Sequence, residues 1–436
     1  MRDLLRIAVL ATAAMTITGD AALAAEAPKA ADTGHTAWVL TATALVLFMT
    51  LPGLALFYGG LVRSRNALSV LLHCVAIACL VSVVWLIAGY SLAFTDGGGM
   101  QAAIGGLSRA FLAGVGPDTL KGDLPELVFF MFQMTFAIIT PALIVGAYPE
   151  RIGFGAMALF SVLWLLVVYV PVCHWVWGEG WLGKLGVMDF AGGIVVHVTA
   201  GVSALVIAAM IGPRQGFASA AILPHSPGLT MVGAGMLWVG WFGFNAGSAL
   251  TASGAAGLAM TTTHTAAATG AVVWMLLEGT MLKRVSLVGT VTGIIAGLAT
   301  VTPGAGFISP WSALIFGALG SAIGFFATQL VKQQLKIDDS LDVFAVHGLG
   351  GATGTILTGI FAAKELGGMG FTSAESIGAQ LGLQALGVAV TAAWSAVATF
   401  VLFKIAGALT TARVNELDEA EGLDVTQHGE RAYDLR

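Results

Sequence analysis

Long apolar runs separated by short polar stretches dominate this chain, and their lengths predict its architecture. The runs cover Ala37–Tyr58, Leu68–Phe94, Leu127–Tyr148, Gly153–Val172, Ile194–Ile211 and Met231–Ala249. They continue at Thr261–Leu282, Leu287–Val301, Trp311–Val331, Val343–Ala362 and Ser376–Ile405. Most are near the ~20 residues that span a bilayer, so about eleven transmembrane helices are expected, the last of them long. Leu287–Val301 is short enough to hide an irregular segment. In lipid every backbone polar group needs an internal partner, which leaves helices or closed barrels, and uninterrupted apolar runs exclude the barrel. The expected class is an all-α integral membrane protein.

Composition sharpens this reading. Of 436 residues, 57% are hydrophobic and only 10% charged, with a mean hydropathy of +0.89. Soluble domains carry about a quarter charged residues. Fifty-eight glycines point to close helix–helix approach, because lipid supplies no hydrophobic drive and small residues let backbones touch. A net charge of −5 without a long basic run argues against nucleic acid as a partner. Cys74, Cys79 and Cys173 lack metal-ligand spacing and are expected to be free.

The N-terminus reads as a cleavable signal peptide over residues 1–24: MRDLLR, an apolar core too short to span, then the small-residue site ALAAEA. Cleavage leaves 25–36 as a periplasmic segment, 37–412 as the membrane domain and 413–436 as a cytoplasmic tail. Loop cations agree with an N-out, C-in arrangement. With the N-terminus outside, twelve of the 19 Lys and Arg fall on the inner side, including Arg63, Arg65, Arg151, Arg214, Lys332 and Arg413. The outer side holds five: Lys29, Arg109, Lys121, Lys184 and Lys364.

Five helices followed by five more place two halves in opposite orientations, with the long helix added at the end. LPGLALFYGG in the first helix echoes VGWFGFNAGS in the sixth, and each half closes on an Asp-then-His helix, Asp189/His197 and Asp342/His347. Inverted repeats of this kind put a transport site near the bilayer midplane, between the halves. At 1.5 Å per residue His197 lies roughly 10 Å below the outer face and His347 roughly 10 Å above the inner one. Ionisable residues at that depth usually face a cavity or the bundle interior. Desolvation favours uncharged imidazoles, each with one donor and one acceptor nitrogen. Such a pair suits a small neutral or deprotonatable substrate better than a metal cation, for which a ring of carboxylates is expected.

Aromatic residues crowd the outer helix ends in VCHWVWGEGW, FFMFQMTF and GWFGFNAGS. Two readings stay open for them, an interfacial belt or a cation–π vestibule worth about 2 kcal/mol to a desolvating cation. Asp189 has two as well, a plain helix cap or a cap that biases the field toward cations. No nucleophile–base set or metal-ligand spacing supports an enzyme.

DFAGGIVVH, GWFGFNAGS, DVFAVHG and the tail GLDVTQHGERAY, in this order, resemble the ammonium transporter (Amt/Mep/Rh) family in its bacterial Amt form, over nearly the whole mature chain. The resemblance implies the ammonium transporter fold, assembled as a homotrimer with one pore per subunit in the bacterial inner membrane and without a cofactor. It implies an outer ammonium site of Trp177, Phe136 and Ser248 with Asp189 behind it. Phe136 and Phe244 are then the gate, His197 and His347 the pore, and Phe132 and Trp241 the vestibule wall. Ammonium would lose its proton near the gate and ammonia would pass the imidazoles; potassium, unable to donate hydrogen bonds or a proton, would be rejected. Composition reads the tail as a solvated disordered end. The resemblance instead implies an ordered strap between subunits and a docking surface for a cytoplasmic PII signal-transduction protein. A rival reading is an ammonium sensor with the same binding site; the absence of an appended signalling domain favours transport.

Overall fold

A computed structural model describes residues 30–433 except 218, 220 and 221. The signal-peptide expectation, 1–24, lies outside the described residues. Eleven principal helical segments are present among the described residues. They are α1 (Thr33–Leu61), α2 (Ser64–Phe94), α3 (Glu126–Ala147), α4 (Phe154–Leu185) and α5 (Gly193–Ile211). Next come α6 (Pro227–Trp241), continued by the turn Phe242–Ala246, and α7 (Gly254–Leu282). The rest are α8 (Leu287–Val301), α9 (Pro310–Gln334), α10 (Phe344–Phe361) and α11 (Ile377–Leu409). Among the described residues, nine of these are long and apolar enough to cross a membrane. A two-stranded ribbon, Leu120–Lys121 with Leu124–Pro125, lies in the loop before α3.

Local chemistry sets the ends. Asp32 caps α1 through His35 N–H at 2.7 Å, and Ser226 with Pro227 opens α6. Ser286 caps α8 through Gly289 N–H at 2.9 Å, so the short span is a regular helix. The irregular stretch follows it instead, at 302–308. Exposed apolar side chains such as Val83, Leu276, Phe326 and Val397 cover the outer helix faces, as expected where lipid is the solvent. The core centres on α3, buried along nearly all its length.

Two devices position the site. First, the helices are interrupted by π-helical turns, among them Gly193–Val198, Phe242–Ala246 and Phe344–Gly348. These three carry His197, Phe244 and His347. Such turns hold one extra residue and recur at functional positions. Second, α5 crosses α10 where Gly201 meets Gly348. A Cβ on Gly201 would collide with the Gly348 backbone, and one on Gly351 would strike the His197 side chain. Only small residues allow so close a crossing.

On the expected inner side, loop cations form a buried network. Glu150 accepts from Arg63 at 2.6 Å, and Arg214 grips Asp338 through two nitrogens at 2.9 Å each. Arg151, fully buried, donates to Ala147 O, Asp338 O and Ser340 Oγ. The tail is ordered against this surface through two short helices, α12 (Glu416–Glu421) and α13 (Leu423–His428). Asp424 accepts from Ser69 N–H (2.8 Å) and Leu68 N–H (3.1 Å), capping the start of α2, while Asn66 accepts from Leu423 N–H. Arg413 pairs with Glu419 at 2.9 Å. Composition alone mispredicts this segment, because its charges are spent on specific partners.

Candidate functional site

Asp189 sits eight residues before His197, and its role is set by the backbone it meets. Gly192, at φ +116°, turns the chain so that four successive N–H groups face the carboxylate. Those of Gly192, Gly193, Ile194 and Val195 donate to it at 2.8, 2.6, 2.8 and 3.1 Å. Both oxygens are therefore engaged at the positive end of α5. The Asp189 carbonyl accepts from Trp177 Nε1 at 2.9 Å, which fixes that indole. Gln384 of α11 holds the same loop by exchanging two hydrogen bonds with the Met188 backbone.

Trp177 borders a cavity of about 340 Å³ with Phe94, Phe129, Gln133, Phe136, Phe190 and Ser248. Phe136 meets Trp177 edge-on at 5.9 Å and stacks on Phe244 at 4.3 Å, closing the floor. Ser248 donates its proton to Phe244 O at 2.8 Å, so its oxygen faces the cavity as an acceptor. Phe132 packs behind Phe136 at 5.0 Å and is buried. Neither Phe132 nor Trp241, expected as vestibule wall, borders the outer cavity. Trp241 lies below the stacked rings, where its indole N–H donates to the Thr302 hydroxyl at 2.9 Å.

Beneath the stacked rings, a narrow cavity of about 10 Å³ is lined by Trp241, Phe244, His197 and His347 with aliphatic side chains. His197 stacks on Trp241 at 5.5 Å and on His347 at 5.2 Å, and the two Nδ1 atoms are 3.2 Å apart. With the Thr302 proton placed on Leu298 O, the network assigns the tautomers as follows. The Thr302 hydroxyl donates to Leu298 O at 2.8 Å and accepts from Trp241, leaving a second lone pair toward His197 Nε2 at 3.4 Å. His197 therefore carries its proton on Nε2 and accepts at Nδ1, His347 donates from Nδ1, and His347 Nε2 keeps a free lone pair. Below, a third cavity of about 160 Å³ is bordered by His347, Tyr58, Arg214, Lys332 and Asp342.

The inner half corrects the expected pairing of Asp342 with His347. The residue eight before His347 is Asp339, and it caps α10 by accepting from Phe344 N–H at 2.8 Å. Asp342 takes a left-handed backbone (φ 63°) and pairs with Lys332 at 2.8 Å. The spacing Asp-x7-His, shared by both halves, was the signal available. Thr302, Gln133, Gln384 and the buried ion network were also missed, because isolated polar residues in apolar runs carry no periodicity. Among the described residues no group of three or more His, Cys, Asp or Glu could hold a metal ion.

Residues 37–433 match the model of the Ammonium Transporter Family. The chain is 46% identical over 408 residues to an ammonium transporter of Bacillus subtilis strain 168, covering 92% of this chain and 98% of that one. It is 42% identical over 403 residues to ammonium transporter Amt1 of Archaeoglobus fulgidus, covering 92% and 99%. A solved structure named Sensor Amt Protein superposes with a TM-score of 0.84 at 33% identity, over 91% of this chain and 98% of that one. Saccharomyces cerevisiae Mep2 gives 0.81 at 35% identity, over 89% and 92%. With an aromatic cavity above stacked rings and paired imidazoles in an apolar helical bundle, the chain belongs to the ammonium transporter family, multi-pass membrane transport proteins and not enzymes.

Proposed function

We propose that this protein moves ammonium nitrogen across the membrane by recruiting the cation outside, removing its proton at the gate and passing ammonia along the imidazole pair. The observation that carries the reading is the 3.2 Å contact of His197 and His347 directly beneath the Phe136–Phe244 stack. Trp177 and Phe136 offer ring faces and edges to a cation, and Ser248 Oγ offers an acceptor. Asp189 acts at one remove, since its oxygens are engaged by amides. It holds Trp177 and the start of α5 in place.

Only a species that gives up its charge suits the passage below the gate. The surroundings of the narrow cavity are almost wholly apolar, and an ion there would lose its water without a compensating ligand. A neutral amine can donate to the free lone pair of His347 Nε2 and move on. Radiolabelled methylammonium uptake or direct current in proteoliposomes tests this. Wild type should carry substrate and exclude potassium, while acidic replacement of His197 or His347 should let potassium through. Unchanged potassium exclusion in both variants overturns the role of the pair.

The finer picture follows the same reading. Residues 1–24 are removed as a signal peptide, the mature N-terminus lies outside, and the chain sits in the bacterial inner membrane as a homotrimer. The tail, docked on the start of α2 and the loop after α5, is the element through which a PII protein would act on the pore. The likeness to the structure named Sensor Amt Protein supports a second reading, in which the cavity binds ammonium and signals. Saturable binding without flux in the same liposomes distinguishes it.

A further inference from the structure

The outer cavity holds one polar group that the reading above does not use. On α3, Phe129, Gln133 and Phe136 recur at helical spacing and all three border the cavity. Gln133 is only 8% exposed, and its Oε1 is buried without a hydrogen-bond partner. An orphaned buried acceptor costs about 1–3 kcal/mol. Yet an apolar side chain of the same length would fit between two phenylalanines. The cost is offset if a ligand supplies the missing donor.

The rest of the cavity says which ligand. Ser248 Oγ has spent its proton on Phe244 O and presents lone pairs only. The Trp177 indole N–H is engaged by Asp189 O. Ser248 Oγ and the Gln133 amide, its oxygen buried as it now lies, are therefore the uncommitted polar groups among the ring faces, and no charged side chain borders the space. That arrangement complements a small cation with several N–H donors and no acceptor. A potassium ion gains two oxygens there but loses a full hydration shell, whereas an ammonium ion keeps directional bonds to both oxygens.

Resting on the transport reading above, we propose that Gln133 binds the protonated substrate directly through Oε1, and with Ser248 Oγ sets the preference for N–H cations over alkali metals. The amide nitrogen of Gln133 carries no protein hydrogen bond either, so nothing but the occupant dictates which end of the amide faces inward. A cation selects the oxygen.

Transport by the full-length protein in proteoliposomes tests this, with ammonium, methylammonium and potassium as probes and a His197 variant alongside. Gln133→Met keeps length and packing but removes the oxygen. It should raise the half-saturating ammonium concentration about tenfold while maximal flux stays within about twofold. Gln133→Glu keeps an oxygen at the same reach and should hold or lower half-saturation, so a Met variant lost to misfolding does not end the test. An unchanged half-saturation in Gln133→Met, or an equal loss in maximal flux from both variants, overturns the role of Gln133 and leaves ammonium transport standing. A wild type that carries no ammonium, beside an equally silent His197 variant, overturns the transport reading and this proposal together.

Discussion

The two histidine helices begin in related ways but solve the same problem differently. Each has an Asp eight residues ahead of its His, a π-helical turn bearing the ring, and a glycine at the crossing. At the outer start Asp189 takes four amide protons and has nothing left to give. At the inner start Asp339 takes the Phe344 amide on Oδ2, while Oδ1 is buried without a partner. Its neighbour Asp342 is tied to Lys332 instead. Burial, reinforced by the Asp342 charge, pushes the Asp339 carboxyl up to about 7. The outer start is thus held by backbone geometry, and the inner one by a balance of charges.

The widest test of that contrast lies in the inner network. Asp338→Ala strips Arg214 of its two-pronged partner and leaves the buried guanidinium only a looser pair with Glu150 at 3.7 Å, which should cost about 3–5 kcal/mol. The outer counterpart pairs Arg109, about a third exposed, with buried Glu126 at 3.3 Å, and Glu126→Gln, which keeps an acceptor for the Tyr90 hydroxyl, should cost less, about 1–2 kcal/mol. Unfolding in detergent, followed by intrinsic fluorescence, reads both. Equal losses would show that the inner side does not depend on its charges.

A smaller difference separates the caps. Asp189→Ala leaves four amides unpaired and should cost roughly 3–4 kcal/mol at about 1 kcal/mol per bond, whereas Asp339→Ala should cost about 1–2 kcal/mol. Matching losses in the same unfolding assay would break the comparison.

The last effect is a slope with pH. Asp339 binds its proton more tightly when folded than the ~3.9 of an unfolded aspartate. Its contribution to stability is complete below that lower value and fades as pH rises through about 7. Asp339→Asn removes the fading, so the variant should gain on wild type as pH rises from 5 to 7, by up to about 1.4 kcal/mol per pH unit, and level off above. A gap between them that stays constant across that range would place the titration elsewhere.

Much of the bundle was legible because a bilayer imposes one length scale and one hydrogen-bonding solution. Several side chains that border the two cavities were legible too, since His197 and His347 are conspicuous in apolar runs and the rings around Trp177 and Phe136 cluster at helix ends. What stayed hidden depends on contact across the fold. Asp342 drew attention because it opens the DVFAVHG run, although the cap belongs to Asp339, three residues earlier. Trp241 reads as one more interfacial ring until Thr302 is seen beside it. Arg151 and Arg214 counted only as topological markers, and nothing in their spacing announced that they would be buried.

The helices that deliver His197, Phe244 and His347 do so from turns wound one residue looser than their neighbours. Trimming one residue from Phe344–Gly348 would restore an ordinary helix, but everything beyond would swing by about 100°. The ring of His347, or the glycine that lets α5 lie against it, would then face the wrong way. Loops elsewhere can lengthen or shorten, yet across these turns the count of residues is itself part of the machinery.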